Sequence, residues 1–282
     1  MIRLAIFGLD GHGSVFATEV NRRMFTAKVV KAMPYPTVMV DDITLQKYIN
    51  TTQEAGVKIV DSLDELAKDV DGVLVLQDDG SQHYEMATQL IKYGLPVYVD
   101  KPMEVNVKKA RALVDAFAQA KCPLFSASSL RYTPELKTVL ADRSGGKILS
   151  AMTWSPFLKN SQMPGWIYYA LHSVEPLFEL MGPGFESVEC TEDKFGSTAI
   201  GHWADGRCGI VRATTAGVHG YGFTVWREHQ IITVNVNIDT IYQGLLDAIV
   251  SFFETKVAPT NPEHEVEVVR FLQAVNHECG IH

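Results

Sequence analysis

Two stretches of the chain carry residue types able to hold an oxygen or move a proton. The first is Val97-Tyr98-Val99-Asp100-Lys101-Pro102. An apolar run ending in lysine puts an ammonium at the edge of a strand, and the proline fixes the backbone just beyond it. The second is Gly165-Trp166-Ile167-Tyr168-Tyr169-Ala170-Leu171-His172-Ser173-Val174-Glu175-Pro176. At helical spacing Tyr168, His172 and Glu175 share one face, while Leu171, Val174 and Phe178 share the other. The polar stripe can then line a cleft as the apolar one packs. Imidazole titrates near neutral pH, so His172 is the candidate acid/base, with Glu175 or Tyr168 as the expected partner of its ring. Pro176 cannot donate to the His172 carbonyl, so a bend or a free acceptor is expected there. Lys101 and His172 form the central candidate pair.

A third stretch, Phe7-Gly8-Leu9-Asp10-Gly11-His12-Gly13-Ser14, falls where a first strand turns into a first helix. Glycines there let backbone N–H groups and the helix N-terminus meet a pyrophosphate. The usual GxGxxG becomes GxDxxG, since Asp10 stands at the second glycine position, and Gly11 is expected to absorb the turn. A glycine turn with no nucleotide is the competing reading. The second strand runs into Lys31-Ala32-Met33-Pro34-Tyr35-Pro36 without the carboxylate that normally accepts from an adenosine ribose. Lys31 could meet a 2′-phosphate or simply face solvent, which leaves NAD and NADP both open.

The elements that must position these residues come in two rhythms. Over 1–128, apolar runs at Leu4–Phe7, Lys28–Met33, Val57–Val60, Gly72–Leu76, Pro96–Val99 and Pro123–Ala127 alternate with helical patterns at Val15–Met24, Leu45–Ala55, Ser62–Lys68, His83–Lys92 and Val107–Ala120. Strands apolar on both faces need helices on both sides of a parallel sheet, the doubly wound Rossmann-like α/β architecture. From Phe185 to Ile238 the chain offers β-rich runs broken by Gly196, Asp205-Gly206 and Gly217, which read as antiparallel hairpins. Helices are expected at Pro134–Asp142, Trp166–Met181, Tyr242–Glu254 and Glu263–Glu278. We therefore expect a dinucleotide-binding domain at 1–128 and an α+β domain at 129–282 with a large, mostly antiparallel open sheet.

A net charge of −8 over 282 residues excludes an electrostatic grip on nucleic acid or an anionic membrane. The N-terminal apolar run is too short for a signal peptide and no membrane span is legible, so a soluble, cytoplasmic protein is expected. Cys122, Cys190, Cys208 and Cys279 form no metal or redox spacing and read as reduced and structural.

These motifs make the chain resemble the glucose-fructose oxidoreductase, inositol dehydrogenase and MocA superfamily over essentially its whole length. Asp100-Lys101-Pro102 is a variant of that family's Glu-Lys-Pro, and His83, after Asp78-Asp79-Gly80-Ser81-Gln82, falls where many members have a histidine opening a helix. The stretch from Gly165 to Pro176 resembles the family's helix with His-x-x-Asp, and Ser128-Ser129-Leu130-Arg131-Tyr132 resembles the segment joining the domains. The resemblance implies an NAD(P)-dependent oxidoreductase acting on a hydroxyl or keto carbon of a sugar, polyol or sugar derivative. In it His172 takes the hydroxyl proton, hydride passes to the nicotinamide, and Lys101 polarises the oxygen. Cofactor contacts are expected at Gly8, Asp10, Gly11, His12, Gly13, Asp78, His83 and Lys101. Substrate contacts are expected at Lys101, Arg131, Trp166, Tyr169 and His172, with no metal. Arg131 could equally cap a helix, and Trp154, Trp166, Tyr168 and Tyr169 could stack on a sugar ring or fill a core. Tyr168 replaces the aspartate that often precedes the family's histidine by four. The alternatives are a glycoside-cleaving enzyme that uses NAD without net redox, and a cofactor or metabolite sensor. The open sheet face implies a homodimer or homotetramer.

Overall fold

The computed structural model describes residues 1–23, 26–158, 160, 162–163 and 165–281. Met24, the last residue expected in the first helix, lies outside them. The elements are β1 (Ile2–Phe7), α1 (His12–Arg22), β2 (Ala27–Met33), α2 (Asp42–Glu54), β3 (Lys58–Ile59), α3 (Leu63–Ala67), β4 (Gly72–Val75), α4 (His83–Thr88), β5 (Val97–Val99), α5 (Val107–Gln119), β6 (Leu124–Ser126), α6 (Pro134–Ala141), β7 (Ile148–Pro156), α7 (Leu171–Met181), β8 (Phe185–Asp193), β9 (Gly196–Trp203), β10 (Cys208–Thr214), β11 (Gly222–Arg227), β12 (Ile231–Asn235), α8 (Gln243–Thr255) and α9 (Pro262–Glu278).

The chain divides into two compact units, one of Met1–Ala127 with Leu246–Glu263, the other of Ser128–Leu245 with His264–His282. The first holds a parallel sheet in the order β3-β2-β1-β4-β5-β6. Strands β1, β4, β5 and β6 are buried along most or all of their lengths, as apolar two-faced runs require. The order reverses between β1 and β4, and in such sheets the crevice beyond the carboxyl ends of those strands takes the ligand. Ser62 caps α3, its Oγ accepting from Glu65 N at 3.3 Å, while the Glu65 carboxylate pairs with Lys58. Gly94 closes the short 3-10 turn Ile91–Tyr93 at φ 66°, so the single helix expected over His83–Lys92 is split.

One assignment needs correction. Residues 246–263, read from the sequence as part of the second domain, pack into the first. The Phe253 ring fills the space where a Cβ on Gly72 would stand, 2.2 Å from it, and Phe252 lies against Phe125 with centroids 5.5 Å apart.

The second unit is a six-stranded sheet ordered β12-β11-β7-β10-β9-β8. Its pairings are antiparallel except β10 with β7, which is parallel. β7 lay outside the expected β-rich region. Helix α7 covers one face, tethered by Thr153 Oγ1 donating to the Ser173 carbonyl and by a 2.8 Å bond between the Ser155 and Ser173 hydroxyls. On the other face Ile200, Ile210 and Met152 fall in one cross-strand row and are only half-buried.

The cysteines differ from expectation. Cys190 and Cys279 form a disulfide joining β8 to the end of α9 across 89 residues, while Cys122 and Cys208 are free. Spacing gave no sign of it because tertiary packing makes the pair. In a reducing cytoplasm it would stand as two adjacent thiols. Among the described residues no helix is long and apolar enough to cross a membrane.

Candidate active site

In the first unit the glycine turn is built for close approach. Gly8 has φ 97° and Gly11 φ 54°; a Cβ on Gly11 would stand 2.1 Å from the Asp78 carboxylate, and one on Gly13 2.6 Å from the Gly8 carbonyl. Gly11 caps α1 without a side-chain hydrogen bond, and the first turn of α1 holds no acidic residue. The start of this helix therefore keeps N–H groups and a partial positive charge for an anion.

Asp10 does not point at that space. It is fully buried, accepts from Asp78 N at 2.8 Å and is hydrogen-bonded by Thr37 Oγ1, so it staples together the loops after β1, β2 and β4. Burial raises its pKa to about 6 against the opposing Thr37 bond. Asp10, expected among the cofactor contacts, instead belongs to the wall of the turn.

His83 is corrected in the same sense. It is completely buried, with Nδ1 2.7 Å from the Pro102 carbonyl and Nε2 2.7 Å from the Gln77 carbonyl. Burial lowers its pKa although Asp100 and the two carbonyls oppose this. It braces the Lys101-Pro102 loop against the loop after β4 and offers no ring nitrogen to a cofactor. Gly80 permits the same approach, since a Cβ there would meet Pro102 Cγ at 2.6 Å.

Lys101 follows β5, is 8% exposed, and is joined to Pro102 by a cis peptide. Asp100 beside it is fully buried, with Oδ2 2.6 Å from His12 Nδ1. Burial pushes this carboxyl up, but the charges of His12, Lys101 and His83 with the His12 bond outweigh it and hold the pKa at about 2. Asp100 is thus a fixed anion that orients His12 at the first position of α1. Sequence reasoning saw it only as part of a motif. His12, Asp78 and Asp100 offer ligand atoms within 4.8 Å of one another, but His12 Nδ1 is already engaged by Asp100 and the group forms one wall of the nucleotide turn.

In the second unit the helix expected over Trp166–Met181 is interrupted. A 3-10 turn covers Gly165–Ile167, and α7 begins only at Leu171. The i to i+4 face supposed to align Tyr168 with His172 therefore does not form. The ring that packs on His172 is Tyr169, edge-on at 5.0 Å, with Tyr221 edge-on at 6.2 Å. Tyr221 Oη donates to Tyr169 Oη at 2.9 Å, and burial with that bond raises the Tyr221 pKa. Tyr168 packs against Tyr169 at 5.9 Å.

His172 Nδ1 shares a 2.8 Å hydrogen bond with Ser128 Oγ. Glu175, the expected partner, turns elsewhere. It is fully buried and accepts from Ser128 N at 2.7 Å and from Arg131 Nε at 3.1 Å. Arg131 also approaches Glu179 at 2.9 Å and Glu265 at 2.6 Å, charge contacts without aligned hydrogen-bond geometry. Burial disfavours the guanidinium, yet the three carboxylates prevail and raise its pKa; burial in turn raises Glu175 and Glu265 despite Arg131. Arg131 is therefore an internal counter-ion with no reach toward substrate.

Trp166 is likewise core. It is fully buried, with its backbone N–H bonded to Asn276 Oδ1 at 2.9 Å and its ring edge-on to Phe157. Trp154 lies on the sheet face away from α7, over Gly222, where a Cβ would meet its ring at 2.2 Å. Of the expected substrate residues, the structure keeps His172 and Tyr169 together and adds Tyr221, which no sequence signal marked, and Ser128, which had been noted only as part of the junction segment.

Residues 2–128 match the family described as oxidoreductase family, NAD-binding Rossmann fold. The YceM protein of Salmonella typhimurium is 39% identical over 97 residues, covering 33% of this chain and 31% of that protein. Inositol 2-dehydrogenase 2 of Mycolicibacterium vanbaalenii is 22% identical over 227 residues, 77% of this chain and 64% of that one. The chain thus matches about a third and just under two thirds of these relatives' lengths. The crystal structure of scyllo-inositol dehydrogenase from Lactobacillus casei with NAD(H) and scyllo-inositol aligns with TM-score 0.83 at 14% identity, over 99% of this chain and 96% of that one. That of GenD2 from gentamicin A biosynthesis with NAD aligns with TM-score 0.82 at 18% identity, over 99% and 94%. At such identities the structural likeness establishes the fold.

Proposed function

We propose that this chain, whose residues 2–128 match the oxidoreductase family with the NAD-binding Rossmann fold, is an NAD-dependent dehydrogenase of a CH–OH carbon in a sugar, polyol or sugar derivative. The observation that carries the reading is the glycine cradle at the uncapped start of α1, in the same sheet as a braced, nearly buried Lys101. Gly8, Gly11, His12 and Gly13 would hold the pyrophosphate. When bound, NAD supplies the hydride acceptor. The chain's own part is acid/base and electrostatic. With Nδ1 engaged by Ser128, His172 takes the hydroxyl proton at Nε2, and the Lys101 ammonium stabilises negative charge growing on the oxygen. Relatives named for inositols make a ring polyol the leading substrate class.

Two features favour NAD over NADP. Lys31, near the end of β2, donates Nζ to the carbonyls of Glu65 and Lys68, its cross-strand neighbour Lys58 pairs with Glu65, and residues 34–41 contain no lysine or arginine. The stretch after β2 thus offers a 2′-phosphate no cationic side chain and ends in Asp41 and Asp42. Fluorescence titration with NAD+, NADH, NADP+ and NADPH should show NADH binding at least about tenfold tighter than NADPH, a difference of about 1.4 kcal/mol. Folded protein that binds none of the four sinks the dehydrogenase reading; equal affinities sink the preference.

We also propose a homodimer or homotetramer formed through the half-buried row of Ile200, Ile210 and Met152, because an apolar sheet face is rarely left to water. Sedimentation at micromolar concentration should give an oligomer, and Ile210→Lys should yield monomer. A wild-type monomer overturns this.

A further inference from the structure

The arrangement around His172 leaves one residue without an assigned role. Ser128 is fully buried and is the first residue of the second unit. Its hydroxyl and its amide are gripped by two side chains of a single helix. The hydroxyl meets His172 Nδ1 at 2.8 Å, and the amide donates to Glu175 Oε2 at 2.7 Å. His172 and Glu175 lie three residues apart on α7, so the three residues form a closed triangle. Ser128 is fixed from its own side as well, since its hydroxyl accepts from Leu130 N at 3.4 Å and its carbonyl accepts from Arg131 N at 3.3 Å. Arg131 then holds Glu175 in place from the far side.

We propose that Ser128 is the positioning residue of the His172 imidazole, setting its orientation and tautomer through the 2.8 Å bond to Nδ1, and that Glu175 and Arg131 act on the histidine only by immobilising Ser128. The proposal rests on the acid/base role assigned to His172 above. The Leu130 amide donates to the hydroxyl oxygen, which has a second lone pair for Nδ1–H. With Nδ1–H donating to Ser128, the arrangement the proposal requires of a base, the Nε2 lone pair is the basic site. Protonation at Nε2 leaves the Nδ1 bond intact, so the ring need not move between its two states. The triangle does not conduct protons. It enters Ser128 at the hydroxyl and leaves at an amide, so it passes on geometry alone. A neutral hydroxyl orients the ring without adding a negative charge beside it.

The test pairs a spectroscopic readout with a kinetic one, using Ser128→Ala, Ser128→Cys and Ser128→Thr in the full chain. Imidazole nitrogen resonances from protein with 15N-labelled histidine should show His172 protonated at Nδ1 in wild type and in Ser128→Thr. They should shift toward the Nε2-protonated form, or an average of both, in Ser128→Ala and Ser128→Cys. Wrong-tautomer effects and lost orienting partners suggest that turnover falls about 10–100-fold in Ala and Cys, with NADH affinity unchanged and substantial rescue in Thr. If Thr is too bulky to fold, Cys against wild type decides, because it preserves volume while weakening the bond. An unchanged tautomer and turnover in both Ala and Cys overturns the proposal while leaving the dehydrogenase reading intact. A tautomer that shifts as expected in protein that binds no nicotinamide cofactor overturns the dehydrogenase reading instead.

Discussion

His172→Ala is expected to lower turnover by about two to four orders of magnitude, the usual contribution of a positioned acid/base group, while NADH affinity stays within about twofold of wild type. The separation of effects follows from placement. His172 sits on α7 among Ser128, Tyr169 and Tyr221, whereas the glycine cradle belongs to the other compact unit. The ring is half-buried, so its removal leaves a small cavity and a modest loss of melting temperature. Lys101→Ala should do comparable damage to turnover, since a nearly buried ammonium is replaced by nothing able to meet a developing negative charge. Steady-state kinetics with an inositol or another polyol, beside NADH titration, make the check. Normal turnover with a much lower melting temperature in His172→Ala would assign the histidine to packing.

Arg131→Met should be the most destabilising single substitution in the second unit, costing about 3–5 kcal/mol. The guanidinium is 1% exposed and is the counter-ion for Glu175 and Glu265, both buried, and for Glu179. Without it two carboxyls remain in a dry interior and must stay protonated. The sign of the pH dependence follows. Burial raises the folded-state pKa of both glutamates above the ordinary 4.5 despite Arg131, and losing Arg131 raises them further. At pH low enough that both glutamates are protonated in either folded protein, the two proteins bind the same protons and the deficit stays flat. As pH climbs through the wild type's folded-state pKa values, the wild type releases protons that the folded variant must keep, and the deficit grows. Urea denaturation at pH 5 and pH 8 should therefore show the larger deficit at pH 8, and adding Glu175→Leu and Glu265→Leu should recover much of it. A deficit below about 1 kcal/mol at pH 8, or one that grows toward acid, would show that Arg131 does not neutralise this cluster.

Much of the first unit was legible because parallel strands buried on both faces are written as continuous apolar runs, and β1, β4, β5 and β6 show this directly. β7 was not, because half of Ile148–Pro156 faces outward and its parallel partner β10 lies about 60 residues on, in a register that no local pattern announces. The site divides in the same way. Lys101 and His172 stood out by residue type and by their place at the end of a strand and on a helix. Where Asp10, His83, Glu175 and Arg131 point was invisible, since each is aimed by a partner distant in sequence: Thr37, Pro102, Ser128 and Glu265 respectively. Ser128 stood out only as the first residue of the segment resembling the domain junction, with no role attached. Nothing distinguishes a serine that grips an imidazole 44 residues away from one that merely caps the turn after it.

The return of residues 246–263 to the first unit has a consequence for how the chain is born on the ribosome. The last strand of the parallel sheet ends at Ser126, but the ring of Phe253, which occupies the space over Gly72, belongs to a helix synthesised much later. At roughly 5–20 residues per second, the 120 or so intervening residues take on the order of 6–24 s to emerge. Through that interval the nascent sheet lacks the Phe252 and Phe253 rings that later pack on Phe125 and over Gly72. A fragment cut after residue 128 should lack them permanently, and with that gain a tendency to aggregate.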